Sequence, residues 1–313
     1  MTFQYPPTAR GDVVDVLHGK RISDPYRWLE EPDSDETRAW VQAQVDCAEG
    51  YLAGLPDREW FRRTARGYVL QDFAAEPQYL HGYYVQARVF TDKPQPVMYF
   101  ARTLSELEAG EGSVLVDPNA FSDDGTSALG ALKISRDGRL LAYGRSDAGS
   151  DWNRIYVVDI ASGEVVDESI VTKFCAPEFT PDGKAFFYTS YEETGRTDGV
   201  DTSSLPLGHV ALHTVGADVE TDRRIWTNPG DPMVLPGVQV SVEGDRLILQ
   251  QYYGTERFNK VWVYPLTSGG DGVSFGDPVR FVDEFVDDIE CLGRDGRRRR
   301  GGGVSDRRRL CRR

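Results

Sequence analysis

The string in this chain that comes nearest to a nucleophile elbow is Gly144-Arg145-Ser146-Asp147-Ala148-Gly149. Acyl transfer by a serine needs a base within hydrogen-bond reach, an orienting acid and an oxyanion hole; in its G-x-S-x-G form it also needs a sharp turn from a strand into a helix. Here the second glycine comes one residue late, and the residues that follow, SDWNRIYVVDI, have the pattern of a strand. Ser146 is therefore expected in a loop between two strands, without a nucleophilic role. Of the four histidines, His18 lies in the N-terminal arm, His81 precedes Gly82 in a turn-rich stretch, and His209 and His213 bracket Val210-Ala211-Leu212. A spacing of four shares one face of a helix or of a strand, but no third ligand stands at a metal-binding interval, so structural histidines are expected. Asp123-Asp124 and Asp287-Asp288 read as solvated turn residues, and Asp-Asp-Gly at 123–125 lacks the ligand series of a calcium loop. Gly-Gly-Asp-Gly at 269–272 precedes no helix pattern and makes no phosphate cradle. No catalytic residue, metal ligand or cofactor is assigned within these residues.

Charge is distributed unevenly. The 313 residues hold 36 Lys and Arg against 50 Asp and Glu, yet ten arginines and two acidic residues fall within 294–313. The preceding body is strongly acidic and repels nucleic acid and anionic lipid. The tail RDGRRRRGGGVSDRRRLCRR has no aromatic interleaving, which argues against a nucleic-acid arm. Runs of Arg and Gly arise when a GC-rich gene is read out of frame, and that, or truncation, is the expectation for 294–313. The N-terminus shows no apolar signal region, no run approaches eighteen apolar residues, and Cys47, Cys175, Cys291 and Cys311 are widely spaced. Together these point to reduced thiols, no membrane span and a cytoplasmic protein.

The elements around these residues are legible. Pro6, Pro7, Pro25 and Pro32 keep residues 1–30 extended. A helix is expected from Asp33 or Ser34, with Asp33 and Glu36 in the form of a capping box and Val41, Val45, Ala48 and Leu52 on one face. Gly54 and Pro56 end it, and a second helix is expected over 57–66, stopping at Gly67. From Tyr68 the apolar period becomes two.

One unit then recurs: KISRDGRLLAYGRSDAGSDWNRIYVVDIASGE at 133–164, APEFTPDGKAFFYTSYEE with VALHTVGAD at 176–193 and 210–218, and VQVSVEGDRLILQQYYGTERFNKVWVYPL at 238–266. A further copy begins at 287–296 and breaks into arginine, and a divergent earlier one spans 78–88 and 96–102. Each copy is strand, Asp-Gly or Glu-Gly turn, strand, polar loop, strand. Glycines 138, 183, 244 and 296 are 45, 61 and 52 residues apart, the length of a four-stranded propeller blade. The fold expected is mainly β: a partial β-propeller of about four blades over 68–293, after an N-terminal helical arm over 1–67, with the Arg-rich tail over 294–313.

Several of these stretches, YPPTARGDVVDVLHGKRISDPYRWLEEPDSDETRAWVQAQ above all, together with VLVDPNAFSDDGTSALGALKISRDGRLLAYGRSDAGSDWNRIYVVDIASGE and EFTPDGKAFFYTSYE, resemble the N-terminal part of the prolyl oligopeptidase family of serine peptidases over about residues 5–296. The resemblance implies a seven-bladed propeller set as a lid over an α/β-hydrolase domain, to which the N-terminal arm contributes. It implies cleavage of short peptides after proline by a Ser-Asp-His triad without cofactor, the triad lying outside this chain, which would then be inactive alone. Short proline-containing peptides are the implied partners. It also implies that apolar propeller residues line the substrate cavity: Val157, where some relatives carry an aromatic, and Ile225 in DRRIWT are the candidates, with core packing as the competing reading. The alternative function is a stand-alone propeller that binds a peptide or protein without catalysis; such a module must close its ring, because open sheet edges aggregate.

Overall fold

The computed structural model describes residues 4–147, 149–191, 206–269 and 272–289. They fall into two compact units that divide between Gln71 and Asp72. The Arg-rich tail and residues 290–296 of the repeat at 287–296 lie outside the described residues.

The first unit opens with an antiparallel hairpin, β1 (Val14–Leu17) and β2 (Lys20–Ser23), turned at His18 and Gly19, both in the left-handed region. Helix α1 (Asp35–Ala53) follows a single 3-10 turn, and α2 (Arg58–Val69) comes next. The cap of α1 is Ser34, whose hydroxyl accepts from the Thr37 N–H, and not Asp33, whose carboxylate pairs with Arg38 at 2.9 Å. A serine oxygen one residue nearer the helix reaches the free N–H without bending the chain back. The second expectation to fail is the stop at Gly67. The helix runs through it to Val69, since a glycine costs a helix only about 1 kcal/mol relative to alanine and ends it only when the chain turns left-handed there. Trp28 and Trp40 pack edge to face at 6.3 Å, their indole N–H groups donating to Ala9 O and Thr8 Oγ1. Val41, Val45 and Leu52 of α1, and Trp60 and Phe61 of α2, remain exposed.

The second unit is four antiparallel sheets, in each of which most neighbouring strands are consecutive in the chain. The first contains β3 (Phe73–Ala74), β4 (Gln78–Leu80), β5 (Tyr83–Val89), β6 (Val97–Ala101) and β7 (Ser113–Val116), with a short helix α3 (Leu104–Glu108) between the last two strands. The second contains β8 (Ala128–Ile134), β9 (Leu140–Ser146), β10 (Trp152–Asp159) and β11 (Val165–Lys173). The third contains β12 (Glu178–Phe179), β13 (Ala185–Tyr191), β14 (Gly208–Thr214) and β15 (Arg223–Trp226). The fourth contains β16 (Val234–Val240), β17 (Arg246–Tyr253), β18 (Asn259–Gly269), β19 (Gly272–Phe275) and β20 (Val279–Val282), the last pairing back onto β18.

These sheets are the blades of a partial β-propeller, because each covers the next face to face. Tyr83 and Val85 of the first pack on Ile134 and Leu141 of the second. Leu140, Ile155 and Ile170 of the second pack on Phe186 and Tyr188 of the third. Phe187 and Val210 of the third pack on Val240, Leu247 and Leu249 of the fourth. A lone four-stranded sheet cannot bury both faces, so the stack is the unit of stability. The recurrent Asp-Gly signal is one turn built three times: Gly138, Gly183 and Gly244 are all left-handed and donate to the carbonyls of Ser135, Thr180 and Ser241 at 2.8, 2.9 and 2.8 Å.

Candidate functional site

The first strands of successive blades are neighbours, β12 touching both β8 and β16. They bring four charged or titratable groups together near the Asp-Gly turns. Lys133 on β8 pairs with Glu178 on β12 at 2.8 Å, and the other oxygen of Glu178 accepts from the Val240 N–H on β16. Arg136, from the turn of the second blade, donates to Val242 O at 2.6 Å and to Ser241 O in the turn of the fourth. His81, in the turn between β4 and β5, is held below the ordinary histidine pKa by burial and then by the charge of Arg136, against the opposing pull of Glu178. This rim can meet charged ends of a ligand; it holds no group poised for acyl transfer.

A second constellation joins the second and third blades. His213 on β14 is fully buried, with Nδ1 2.7 Å from Asp222 Oδ1 and Nε2 2.7 Å from Asp167 Oδ2 on β11. Ser169 Oγ stands 3.4 Å from the same Nε2, so the spacing superficially matches a triad. It is not one. Nε2 already faces a carboxylate at closer range, and the Ser169 hydroxyl donates to Asp167 Oδ1 at 2.8 Å, so its proton is directed at the carboxylate and not at the imidazole. Tyr188 completes the network by donating to Asp222 Oδ2 at 2.7 Å. Burial works to raise the Asp167 carboxyl, but the Ser169 and Gly216 N–H groups, His213 and the Ser169 hydroxyl outweigh it and hold the carboxyl below the usual range.

At the opposite end of the blades from the Asp-Gly turns, the chain crosses from β11 to β12. Trp152 and Lys173 are the last cross-strand pair of β10 and β11, and the Lys173 ammonium lies 4.8 Å from the centre of the indole ring. Phe174 follows in the left-handed region with its ring 55 % exposed, an uncommon conformation for a bulky residue. Desolvation pushes the Cys175 thiol up to about 11, although the Thr189 N–H points at its sulfur from 3.2 Å. Of these four, only Cys175 was named from the sequence, as a reduced thiol. A left-handed phenylalanine has no compositional signal, and the partners of a strand's last rung are known only once the register is.

The structure places the residues that were singled out as follows. Val157 on β10 is fully buried among Leu140, Ile155, Ile170 and Phe186, with no face open to a ligand. Ile225 on β15 is half-buried against the core between the third and fourth blades, and borders a shallow surface groove with Arg223, Arg224, Tyr264 and Phe275. The two residues belong to different inter-blade cores. Ser146 closes β9, and the residues after it form β10, a strand and not a helix. His209 is buried on β14, where its Nδ1 accepts from the Asn228 N–H. No helix among the described residues is long and apolar enough to cross a membrane.

The fold is a leading arm followed by face-packed antiparallel sheets of four or five strands. Residues 6–297 match the family model described as the prolyl oligopeptidase N-terminal β-propeller domain, and the chain belongs to this family. It is 29% identical to the prolyl endopeptidase of Elizabethkingia meningoseptica over 278 residues, 86% of this chain and 38% of that protein. It is 31% identical to the dual function macrocyclase-peptidase POPB of Galerina marginata over 321 residues, 93% of this chain and 43% of that one. Among solved structures, prolyl oligopeptidase B from Galerina marginata, bound to a 35mer hydrolysis and macrocyclization substrate, superposes with a TM-score of 0.79 at 27% identity, covering 94% of this chain and 43% of the other. The chain thus spans about two fifths of the length of the curated relatives it matches.

Proposed function

We propose that these residues are the propeller and leading arm of a serine-type prolyl oligopeptidase that hydrolyses short peptides on the carboxyl side of proline, and that they act by gating access to a catalytic domain encoded beyond them. The observation that carries this reading is that the likeness to prolyl oligopeptidases covers the arm and the blades together, 94% of the chain in one superposition. A propeller that merely shared the blade architecture would not bring the arm with it. The exposed stripe of Val41, Val45 and Leu52 on α1 supports the same reading, since an apolar helical face of that kind is built to be covered.

On this reading the chain alone is inactive and the Ser, Asp and His come from sequence outside it; Ser169, beside the His213 ring, turns its hydroxyl to Asp167. The sparse, half-buried cysteines support a cytoplasmic location. Two experiments test this. Translating the nucleotide sequence downstream in all three frames should yield further blades and then a G-x-S-x-G elbow, and failure to find them favours a stand-alone binding propeller. The purified chain should release no fluorophore from a glycyl-prolyl-coumarin substrate; turnover abolished by a serine-directed inhibitor would defeat the inactivity of the chain.

A further inference from the structure

We propose that Lys173 and Trp152 form a carboxylate-binding point at the crossover end of the second blade, which takes the C-terminal carboxylate of a short peptide. The two side chains face the same way because their residues pair directly across the β10–β11 hairpin. Lys173 is only 9% exposed and Trp152 4%. The ammonium rests 4.8 Å from the indole centroid, and no carboxylate or other acceptor pairs with it among the described residues. The buried indole Nε1 likewise has no hydrogen-bond partner. Asp151, beside Trp152 in the chain, makes no ion pair with the lysine, and Asp147 is taken up by Ser127 and Arg145.

Two buried donors, one of them charged, therefore stand on paired residues of neighbouring strands without an acceptor among the described residues. A ring face offsets part of the charge of an ammonium but offers no lone pair to its N–H groups. Burying a cation without a counter-charge is costly, and buried donors are almost always satisfied. The group that satisfies both has two acceptor oxygens and a single negative charge. A carboxylate fits that description, whereas a phosphate dianion would bring a second charge with no cation to meet it. The proposal rests on the function above only for the source of the carboxylate; the charge and the donors define its chemistry independently.

Isothermal titration of the full 313-residue chain with four peptides tests it: Ala-Pro-Ala as the free acid, the same peptide as its C-terminal amide, Ala-Gly-Ala as the free acid, and Ala-Glu-Ala amide. The expected result is that the free acids bind at least tenfold more tightly than the Ala-Pro-Ala amide. Ala-Glu-Ala amide separates the sources: affinity equal to that of the free acids would replace the terminal carboxylate with an acidic side chain and overturn that part of the proposal. Lys173→Met should lose tenfold or more for the free acids, Trp152→Phe severalfold, and Lys173→Arg should retain binding. The comparison of acid with amide on the unaltered chain needs no variant to fold. Equal affinity for acid and amide, no binding of any peptide, or undiminished binding by a folded Lys173→Met chain overturns the proposal. If Ala-Gly-Ala binds as well as Ala-Pro-Ala, the carboxylate point stands and it is a proline preference in this part of the molecule that falls.

Discussion

The guanidinium of Arg136 reaches Val242 O at 2.6 Å, so that a residue of the second blade is bonded to the turn of the fourth, past the third. Its second amino group meets the neighbouring carbonyl of Ser241, a forked geometry that only arginine supplies. The contact is partly exposed, so its worth is about 1 kcal/mol. Arg136→Ala should lower the unfolding free energy measured in urea by that amount, and Arg136→Lys should recover little of it. Hydrogen exchange at the Gly244 amide, which closes the turn on Ser241 O, should quicken in both variants.

Gly138 and Gly149 share a left-handed backbone but differ in their surroundings. A Cβ at Gly138 would lie 2.8 Å from the His81 carbonyl oxygen, while one at Gly149 would meet nothing within 4 Å. Gly149→Ala should cost about 1 kcal/mol, the strain of the backbone alone. Gly138→Ala should cost about 3 kcal/mol, because a rigid main-chain atom must also move. Equal losses in chemical denaturation would show that the blade-to-blade contact contributes nothing.

His81 carries a pH dependence with a definite sign. Its folded pKa lies below the ordinary value, through burial first and Arg136 second. As pH falls below about 6.5 the unfolded chain takes up the proton before the folded one does, so stability declines until the folded value is passed. His81→Asn, which keeps a residue tolerant of the left-handed region, should flatten the melting temperature between pH 6.5 and 5. An unchanged slope would place the effect elsewhere.

Asp167 acts at lower pH. Its carboxyl is held below the usual range in the fold, so its contribution is complete above the unfolded value of about 3.9 and disappears as pH falls through the folded one. The difference in melting temperature between the native chain and Asp167→Asn should be constant from pH 7 to 5 and shrink below about 4. A gap of the same size at pH 3 would exclude the ionised carboxylate as the stabilising species.

Val157 separates packing from recognition. Val157→Ala removes two methyl groups from a fully buried site and should cost about 2 kcal/mol, leaving peptide affinity unchanged in the folded fraction. A change in affinity without loss of stability would favour Val157 as a residue lining the substrate cavity.

What could be read from the sequence depended on whether the signal was local. Gly138, Gly183 and Gly244 announced their turns because a left-handed position beside an aspartate or glutamate is a compositional event, and the meander follows from turns at even intervals. The start of α1 was legible to within a residue, and only the choice between Asp33 and Ser34 needed coordinates. The pairing of His213 with Asp167, 46 residues away on another blade, was out of reach. No periodicity records which strands of neighbouring blades face each other. Trp152 and Lys173 were hidden for the same reason, compounded by a lysine's usual place in solvent. Gly67 misled because a glycine marks a stop only where the chain turns left-handed, and this one does not.

The stacked turns also have a direction. Gly138 meets His81 and Tyr83, Gly183 meets Ser135 and Asp137, and Gly244 meets Pro181 and Arg136. In each case the counter-surface belongs to a part of the polypeptide synthesised earlier. A chain emerging from the ribosome therefore finds each seat already in place when the next glycine arrives, and the seam can be laid in the order in which it is translated.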